Sequence, residues 1–318
     1  MLESFQFSLN STMPVFLLMV LGGCLKKIGL IDDHFASVSD KFVFRGTLPV
    51  LLFLDIAGTD IRHNFNVKYI GFCVVVTLVT IAVVWTGTKL LIRDKSLTGE
   101  FVQCSYRSSA AILGTAFIQN IYGTSGSAPL MILGSVPLYN IFAVLILCLE
   151  SPSLAGADLK KRMKNAFVGI LTNPIIIGIL LGLLASLVNL QLPAILNKTM
   201  STFSGLTSPL ALISIGATFK GSKAIQKIRP TIAASLIKTV CIAAVFLPFA
   251  VRLGFRNEQL VALLIMMGSP ATPTAYIMAK NMGHEGVLSS SVIALTTLLS
   301  SVTLTFWIFL LRYLGYLI

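Results

Sequence analysis

Long apolar runs alternate with short polar segments along the whole chain. A helix that crosses a bilayer needs about 20 mainly apolar residues. The pattern predicts ten such spans, at 8–28, 37–57, 67–91, 99–122, 126–148, 166–188, 194–218, 230–252, 258–280 and 287–314. The chain is therefore predicted to be an all-α integral membrane protein, and an even number of spans puts both termini on the same side.

The composition agrees with a chain that is almost entirely embedded in membrane. Hydrophobic residues make up 55% of it and charged residues only 11%, and the mean hydropathy is +0.88. Soluble domains carry about 25% charged residues. The polar segments between the spans are too short to form a soluble domain.

Lysine and arginine are distributed unevenly between the predicted loops. One set of alternating loops holds Lys26, Lys27, Lys89, Arg93, Lys95, Lys160, Lys161, Arg162, Lys164, Lys220, Lys223, Lys227, Arg229 and Lys280, and the other set holds Arg62, Lys68, Arg252 and Arg256. Because basic loops face the cytoplasm, both termini are predicted to lie outside, in a multi-pass protein of the cell membrane. This topology accounts for the net charge of +12, so no nucleic-acid partner is predicted.

Two halves of the chain match at a constant offset of 160 residues. The matching motifs are Thr12-x-Pro14 with Thr172-x-Pro174, Gly22 with Gly182, Thr47-x-Pro49 with Thr207-x-Pro209, and Gly123-x-x-Gly126 with Gly283-x-x-Gly286. Their order favours an internal repeat over coincidence, with repeats at 1–150 and 165–318 and a cytoplasmic linker at 151–164. Five spans per repeat make the second repeat inverted, an arrangement typical of secondary transporters that bind substrate near the midplane.

Two prolines stand in the middle of the ninth predicted span, LLIMMGSPATPTAYIMAKNMG. Proline removes a backbone donor and costs roughly 3 kcal/mol inside a helix, and lipid offers no water to replace the lost hydrogen bond. We expect Pro270 and Pro273 to break the helix where it lines a cavity; the alternative is a plain kink packed by neighbouring helices. The matching fourth span has no proline, but Ser108, Ser109 and Gly114 can also loosen a helix.

Two stretches of the chain carry a family resemblance. The second span reads SDKFVFRGTLPVLLF, a polar pair followed by Phe-Val and Pro-Leu-Leu, and the fourth and fifth spans read RSSAAILGTAFIQNIYGTSGSAPLMILGSVPLYNIFAV. They resemble the auxin efflux carrier family, which includes bacterial malate and malonate permeases. Pro270 and Pro273 stand where the family's second break belongs, whereas Ala116 replaces the proline that is usual at the first break.

The resemblance implies a fold of five plus five inverted helices. Helices 1, 2, 6 and 7 are then expected to form a scaffold and the interface of a homodimer. Helices 3–5 and 8–10 are expected to form a moving transport domain, in which the broken helices 4 and 9 cross.

The candidate substrate site combines an arginine with hydroxyl groups at both predicted breaks. Arg107 lies inside span 4, where a charge is expensive and usually functional and where a guanidinium suits a carboxylate; the alternative is that it snorkels to the headgroups. Lys238, inside span 8, either belongs to an anion pathway or compensates a carboxylate. Asn120 and Asn140 are expected to hydrogen-bond between helices. The predicted substrate-binding set is Arg107, Ser108, Ser109, Gly114, Asn120, Lys238, Gly268, Pro270, Thr272, Pro273 and Thr274.

Acidic residues lie mostly in predicted loops or at span ends. Among the acids we expect only Asp55 to lie within a span, near its outer end, so no carboxylate is expected near either break. An arginine, hydroxyls and helix N-termini without an acid favour an anionic substrate, while sodium held by backbone carbonyls at the breaks leaves the coupling ion open. No cofactor or metal site is predicted, because His34, His63 and His284 lie in separate loops.

The sequence predicts a secondary carrier of small organic anions that works by alternating access in the lipid bilayer. Dicarboxylates such as malate or malonate are the leading substrates. Within the same fold, the alternatives are an efflux carrier or a sodium-coupled symporter for a more hydrophobic carboxylate; a channel or a membrane sensor is the alternative of another class. An enzyme is not predicted, because the chain has no carboxylate cluster, His/Glu metal motif or partnered nucleophile.

Overall fold

The computed structural model describes residues 2–58, 66–110, 118, 121–122, 127–151, 167–169, 171–219 and 221–317. All regular structure in these ranges is helical. The α-helices are α1 Leu2–Lys27, α2 Asp33–Phe42, α3 Leu48–Ala57, α4 Val67–Leu91, α5 Thr98–Tyr106, α6 Ala128–Leu149, α7 Pro174–Leu187, α8 Ala194–Ser204, α9 Thr207–Thr218, α10 Gly221–Gln226, α11 Ile228–Leu236, α12 Ile242–Arg252, α13 Asn257–Gly268, α14 Pro273–Asn281 and α15 Val287–Tyr313. Single π-helical turns, Val43–Thr47 and Ile237–Cys241, join α2 to α3 and α11 to α12.

Six segments of the described chain are long and apolar enough to cross a membrane: Val67–Leu91, Ala128–Leu149, Ala194–Thr218, Ile228–Arg252, Asn257–Asn281 and Val287–Tyr313. They coincide with the third, fifth, seventh, eighth, ninth and tenth predicted spans. The all-helical fold is confirmed in the described part of the chain. The count of ten spans and the inverted repeat stay predictions.

The second predicted span has an unusual charge content. Residues 33–57 form one continuous helical run through the π-helical turn, yet this run contains Asp40, Lys41, Arg45 and Asp55. Ionisable residues inside a membrane segment face the protein interior or a polar cavity. Asp40 follows that rule, since only 4% of its surface is exposed.

Polar side chains start several of the helices. Asp32 accepts a hydrogen bond from the backbone N–H of Phe35 at 2.7 Å and caps α2. Asn66 caps α4 by accepting from the N–H of Tyr69 at 3.0 Å. Such caps satisfy backbone donors that the first turn of a helix leaves without partners, so these helices begin where the sequence supplies an oxygen.

The ninth predicted span lies at the centre of the protein. An 18-residue apolar stretch of Asn257–Asn281 is buried along its whole length, whereas only a third of the corresponding stretch of Val67–Leu91 is buried. α13 packs against α6, α12 and α15, and α14 packs against α2, α5, α6, α9 and α15. A break in this span is therefore surrounded by protein instead of lipid.

Glycines allow two pairs of helices to approach closely. α1 packs against α9, and α3 packs against α7. A Cβ atom on Gly22 would lie 2.2 Å from the carbonyl oxygen of Ile213, and one on Gly182 would lie 2.8 Å from that of Phe53. Gly182 and Ile213 stand 160 positions after Gly22 and Phe53 respectively, so the same glycine-to-carbonyl contact occurs once in each pair.

Gly216→Ala should lower the melting temperature of the purified protein clearly. Its new Cβ would lie 1.8 Å from the carbonyl oxygen of Met19, so α1 and α9 must separate, and overpacking of this kind costs about 1–3 kcal/mol. Gly71→Ala in α4 is the matched control, because a Cβ there meets nothing within 4 Å. The control should melt at the same temperature or slightly higher, since alanine favours a helix over glycine by roughly 0.5–1 kcal/mol. Equal melting of the two variants would contradict close packing of α1 on α9.

Candidate functional site

The ninth predicted span is broken at its two prolines. α13 ends at Gly268 and α14 begins at Pro273, with non-helical backbone between them. Pro273 occupies the first position of α14, where a missing N–H is harmless. The N–H of Ala271 donates to the hydroxyl oxygen of Thr296 at 3.1 Å, so α15 supplies a hydrogen bond that the break would otherwise lack. The predicted break is confirmed, and the plain kink is wrong.

The fourth predicted span is also interrupted, and this interruption contacts the break in the ninth span. α5 ends at Tyr106, and residues 107–109 are non-helical. The N–H of Ser109 donates to the carbonyl oxygen of Pro270 at 3.0 Å. The hydroxyl of Ser108 donates to the carbonyl of Ile265 at 3.1 Å. The polar backbone exposed by each interruption is therefore partly satisfied by the other.

Several predicted site residues fall outside the described part of the chain. These are Gly114 and Asn120, together with Ala116, the residue at the family's proline position. They remain predictions, as does the course of the chain beyond Ala110.

Arg107 is buried inside the protein, with 3% of its surface exposed. Its Nη2 donates to Oδ1 of Asn140 at 2.6 Å, and its Nη1 contacts the sulfur of Met278 at 2.7 Å. Snorkelling to the headgroups is therefore wrong for this side chain. The contact with α6 also agrees with the helix-to-helix hydrogen bond expected of Asn140. Because both of these partners are neutral, neither supplies a negative charge to the guanidinium.

A small polar cavity joins the two breaks to the second and seventh predicted spans. Its volume is about 50 Å³, which is room for only a few water molecules. The lining comes from both breaks and from α3, α6 and α9: Leu48, Leu51, Leu52, Asp55, Arg107, Ser108, Ser109, Val136, Tyr139, Asn140, Ser208, Thr272 and Thr274. Five of the predicted site residues meet here. The cavity must widen before it can admit a molecule the size of malate.

The start of α14 gives one side of this cavity a positive character. The hydroxyl groups of Thr272 and Thr274 lie 3.1 Å apart at the first turn of the helix. The N-terminus of a helix carries roughly half a positive charge and attracts anions. Together with Arg107, it provides two sources of positive potential in the cavity wall.

Asp55 overturns one expectation from the sequence. It lines the same cavity as Arg107, Ser109 and Thr274, although no carboxylate was expected near either break. Asp55 is close to the end of its helix along the sequence. However, α3 lines the cavity between the two breaks, and its Asp55 side chain therefore lies beside them. The candidate site therefore contains the carboxyl group of Asp55 as well as the guanidinium of Arg107.

Lys238 lies at the other end of the break in span 9. Its side chain is fully buried, and its Nζ donates to the carbonyl oxygen of Met267 at 2.8 Å and contacts that of Met266 at 3.5 Å. It does not line the cavity with Arg107. Of the remaining predicted residues, Gly268 ends α13, Pro270 accepts the bond from Ser109, and Pro273 begins α14.

A second polar cluster, which the sequence did not indicate, links α2 and α9 to α14. Asp40 accepts from the hydroxyl of Ser214 at 2.6 Å and from that of Tyr276 at 3.4 Å. The Tyr276 hydroxyl also lies 2.8 Å from that of Thr218, and Asn281 donates to the backbone oxygen of Asp40 at 3.2 Å. The signal in the sequence is the presence of a charged residue, Asp40, within the otherwise apolar second predicted span.

An ion-pair cluster between the α10 region and the loop before α15 lies beside these residues. Lys223 donates to Oε1 of Glu285 at 2.5 Å, and Lys227 donates to Oε2. Hydrogen bonds from Lys223 and Lys227 lower the pKa of Glu285 to about 2. Glu285 is therefore ionised at physiological pH, and because the pairs are partly exposed, salt screens their attraction.

A buried carboxylate also fixes the start of α15. Glu100 in α5 is 1% exposed and accepts hydrogen bonds from the N–H of Gly286 at 2.9 Å and from the N–H and hydroxyl of Ser289 at 2.8 and 2.9 Å. Sequence reasoning placed Glu100 at a span end and missed this contact, because the partner lies 186 residues further along the chain.

A buried polar site at the meeting point of two broken, mainly apolar helices is the architecture of a membrane transporter. The chain belongs to the membrane transport protein family, whose model matches residues 7–308. This is the auxin efflux carrier family that the sequence resembles, so that prediction is confirmed. The protein is accordingly a membrane transporter and not an enzyme.

Two of the relatives that match the chain over nearly its whole length are an archaeal and a bacterial transporter. An uncharacterized transporter of Methanothermobacter thermautotrophicus is 22% identical over 308 residues, which cover 95% of this chain and 98% of the relative. The uncharacterized transporter YfdV of Escherichia coli is 22% identical over 321 residues, which cover 96% of this chain and 98% of YfdV.

Proposed function

We propose that the protein is a secondary carrier of small organic anions, with dicarboxylates such as malate and malonate as the leading substrates. The observation that carries this proposal is the buried guanidinium of Arg107 in the cavity wall. Its contacts with Asn140 and Met278 are neutral, and a guanidinium is suited to bind a carboxylate through two parallel hydrogen bonds. The hydroxyls of Thr272 and Thr274 and the N-terminus of α14 add further groups that favour an anion.

The proposed mechanism is alternating access in a fold of ten spans arranged as two inverted repeats. The recurrence of one glycine-to-carbonyl contact at an offset of 160 residues supports the repeat. Spans 1, 2, 6 and 7 form the scaffold in this proposal, with a homodimer through it, and spans 3–5 and 8–10 form the moving domain. Both termini face the outside of the cell membrane.

The candidate cavity lies where these two groups of spans meet. Asp55 and Ser208 come from scaffold spans, whereas Arg107 and Thr274 come from the proposed moving domain. The Asp40 cluster likewise joins scaffold helices to α14, on the side of the basic loops. Movement of one group against the other would open that cluster and change the side from which the cavity is reached.

A zwitterionic amino acid is a second candidate substrate, favoured by Asp55. A carboxylate and a guanidinium in one cavity can bind the ammonium and carboxylate groups of one small molecule. With a dicarboxylate, Asp55 would instead have to be protonated or displaced, because like charges in a buried site repel each other.

Uptake of labelled malate into proteoliposomes tests the proposal, with membrane potential, pH gradient and sodium gradient imposed separately. We expect saturable uptake that malonate and other dicarboxylates inhibit and that neutral analogues leave unchanged; protein-free liposomes are the control. Inhibition of malate uptake by amino acids, and not by dicarboxylates, would support a zwitterionic amino acid as the substrate. Absence of uptake under every gradient, with protein shown to be folded, would discard dicarboxylates and direct the search to more hydrophobic acids.

A further inference from the structure

We propose that the ammonium group of Lys238 is a built-in cation at the carbonyl end of α13, in the place where a coupling sodium ion would otherwise bind. The inference rests on the proposed carrier function. In secondary transporters, the carbonyl ends of broken helices coordinate the coupling cation. Lys238 occupies such an end, so we infer that transport by this protein does not require sodium.

The geometry of Lys238 is that of a cation held by helix-end carbonyls. Its Nζ lies 2.8 Å from the oxygen of Met267 and 3.5 Å from that of Met266. Both carbonyls belong to the last turn of α13, which ends at Gly268. The carbonyls of a last turn have no partners within the helix and together carry roughly half a negative charge.

The neighbouring donors at this helix end are neutral. The Tyr139 hydroxyl donates to Met266 at 3.3 Å, and the carbonyl of Ile265 receives the N–H of Ser269 and the hydroxyl of Ser108. Among the described contacts of these three carbonyls, Lys238 is the single charged donor. It therefore supplies the positive charge that balances the end of the broken helix.

A simpler role as a surface anchor does not fit the position of Lys238. The side chain is fully buried, and a charge inside a membrane protein is costly unless partners compensate it. In the described part of the chain it forms no ion pair with a carboxylate. It projects from the π-helical turn Ile237–Cys241, and π-turns within helices are frequent at functional sites.

An ammonium and a sodium ion cannot occupy this place together. Both carry one positive charge, and each needs the same carbonyl oxygens. While Lys238 remains bound to Met267, sodium gains neither space nor ligands there. Removal of the ammonium should therefore leave a helix end that a small free cation can stabilise. If Lys238 served only as a structural hydrogen-bond donor, no such stabilisation by a cation would be expected.

Melting temperatures of purified protein in NaCl, KCl and N-methylglucamine chloride, at equal ionic strength, test this inference without a known substrate. The wild type should melt at the same temperature in all three salts. Lys238→Ala should melt several degrees lower, and sodium should restore at least half of that loss in a saturable manner, whereas N-methylglucamine should restore none. Lys238→Met, which fills the space with an uncharged chain, should lose stability without this recovery.

Lys68→Ala is the matched control. Lys68 also donates to a helix-end carbonyl, that of Leu253 at 2.6 Å, but it is exposed, so water can replace it and sodium should not matter. If Lys238→Ala does not fold, Lys238→Ser, which also vacates the space, is measured in the same salts with the same expectation. A saturable sodium-dependent rise for the wild type, or equal losses of the Lys238 variant in all salts, would overturn the proposal. Failure of malate uptake would refute only the proposed substrate.

Discussion

Replacing Arg107 with glutamine should reduce malate uptake in proteoliposomes by roughly 10- to 100-fold. Hydrogen bonds to a charged group contribute about 1.5–3 kcal/mol, and each 1.4 kcal/mol is about a factor of ten in affinity. Glutamine can still bond to Asn140 across the cavity wall, but it lacks the charge and the fork that bind a carboxylate. Arg107→Lys, which keeps the charge alone, should recover only part of the uptake, because lysine does not reproduce the planar geometry.

The measurement must separate binding from folding, because Arg107 is buried. Initial rates at several malate concentrations are compared with melting temperatures of the same preparations. Arg252→Gln is the control, since that arginine is exposed at the end of α12 and should leave uptake unchanged. Uptake by Arg107→Gln at the wild-type rate would remove this residue from the site, and a loss of uptake matched by an equal loss of folded protein would make its role structural.

The break in span 9 could be predicted because its cause is local. Pro270 and Pro273 remove backbone donors within a run that is otherwise helical, and lipid cannot replace those bonds. The importance of Arg107 could be predicted for a similar reason, since a charged side chain in an apolar span is costly and is usually retained for a function. In both cases the residue type alone carries the signal.

The surroundings of Asp55 and Lys238 could not be predicted, because they depend on how the helices lie in three dimensions. Asp55 follows the π-helical turn Val43–Thr47, whose extra residue rotates the face that α3 presents, and hydropathy does not reveal such a turn. Lys238 sits in the second turn of this kind, Ile237–Cys241. A distance along a predicted span therefore says little about which cavity a side chain reaches.

The polar groups of the transporter divide into those that cross between the proposed domains and those that remain within one. The Asp40 cluster crosses, because α2 and α9 belong to the proposed scaffold and Tyr276 lies in α14 of the proposed moving domain. The contacts of Glu100 with α15 and of Gln103 with the carbonyl of Ala275 at 2.8 Å stay within the proposed moving domain. If the proposed moving domain moves as one body, its internal contacts must persist while the contacts between the two domains open.

Replacing Glu100 with glutamine should lower the melting temperature of the purified protein by roughly 5–10 °C. The carboxylate accepts from Gly286 and twice from Ser289 at the N-terminus of α15, where the helix dipole favours negative charge. Glutamine replaces one carboxylate oxygen with an amide N–H₂, which then faces at least one backbone N–H that cannot accept a hydrogen bond. Part of the buried first turn of α15 is then left without acceptors, which is the costly outcome in an interior closed to water.

A double-mutant cycle assigns this loss to the contact itself. Ser289→Ala removes one donor, and if the two groups interact directly, the combined variant should be less destabilised than the sum of the single variants. Glu258→Gln is the matched control, because Glu258 lies in the first turn of α13 and is only half-buried. Equal melting temperatures for Glu100→Gln and Glu258→Gln would contradict a stabilising role for the hydrogen bonds between Glu100 and the start of α15. A large loss for Glu100 alone would mean that this buried carboxylate stabilises the contact between α5, which leads into one break, and α15, which supports the other break through Thr296.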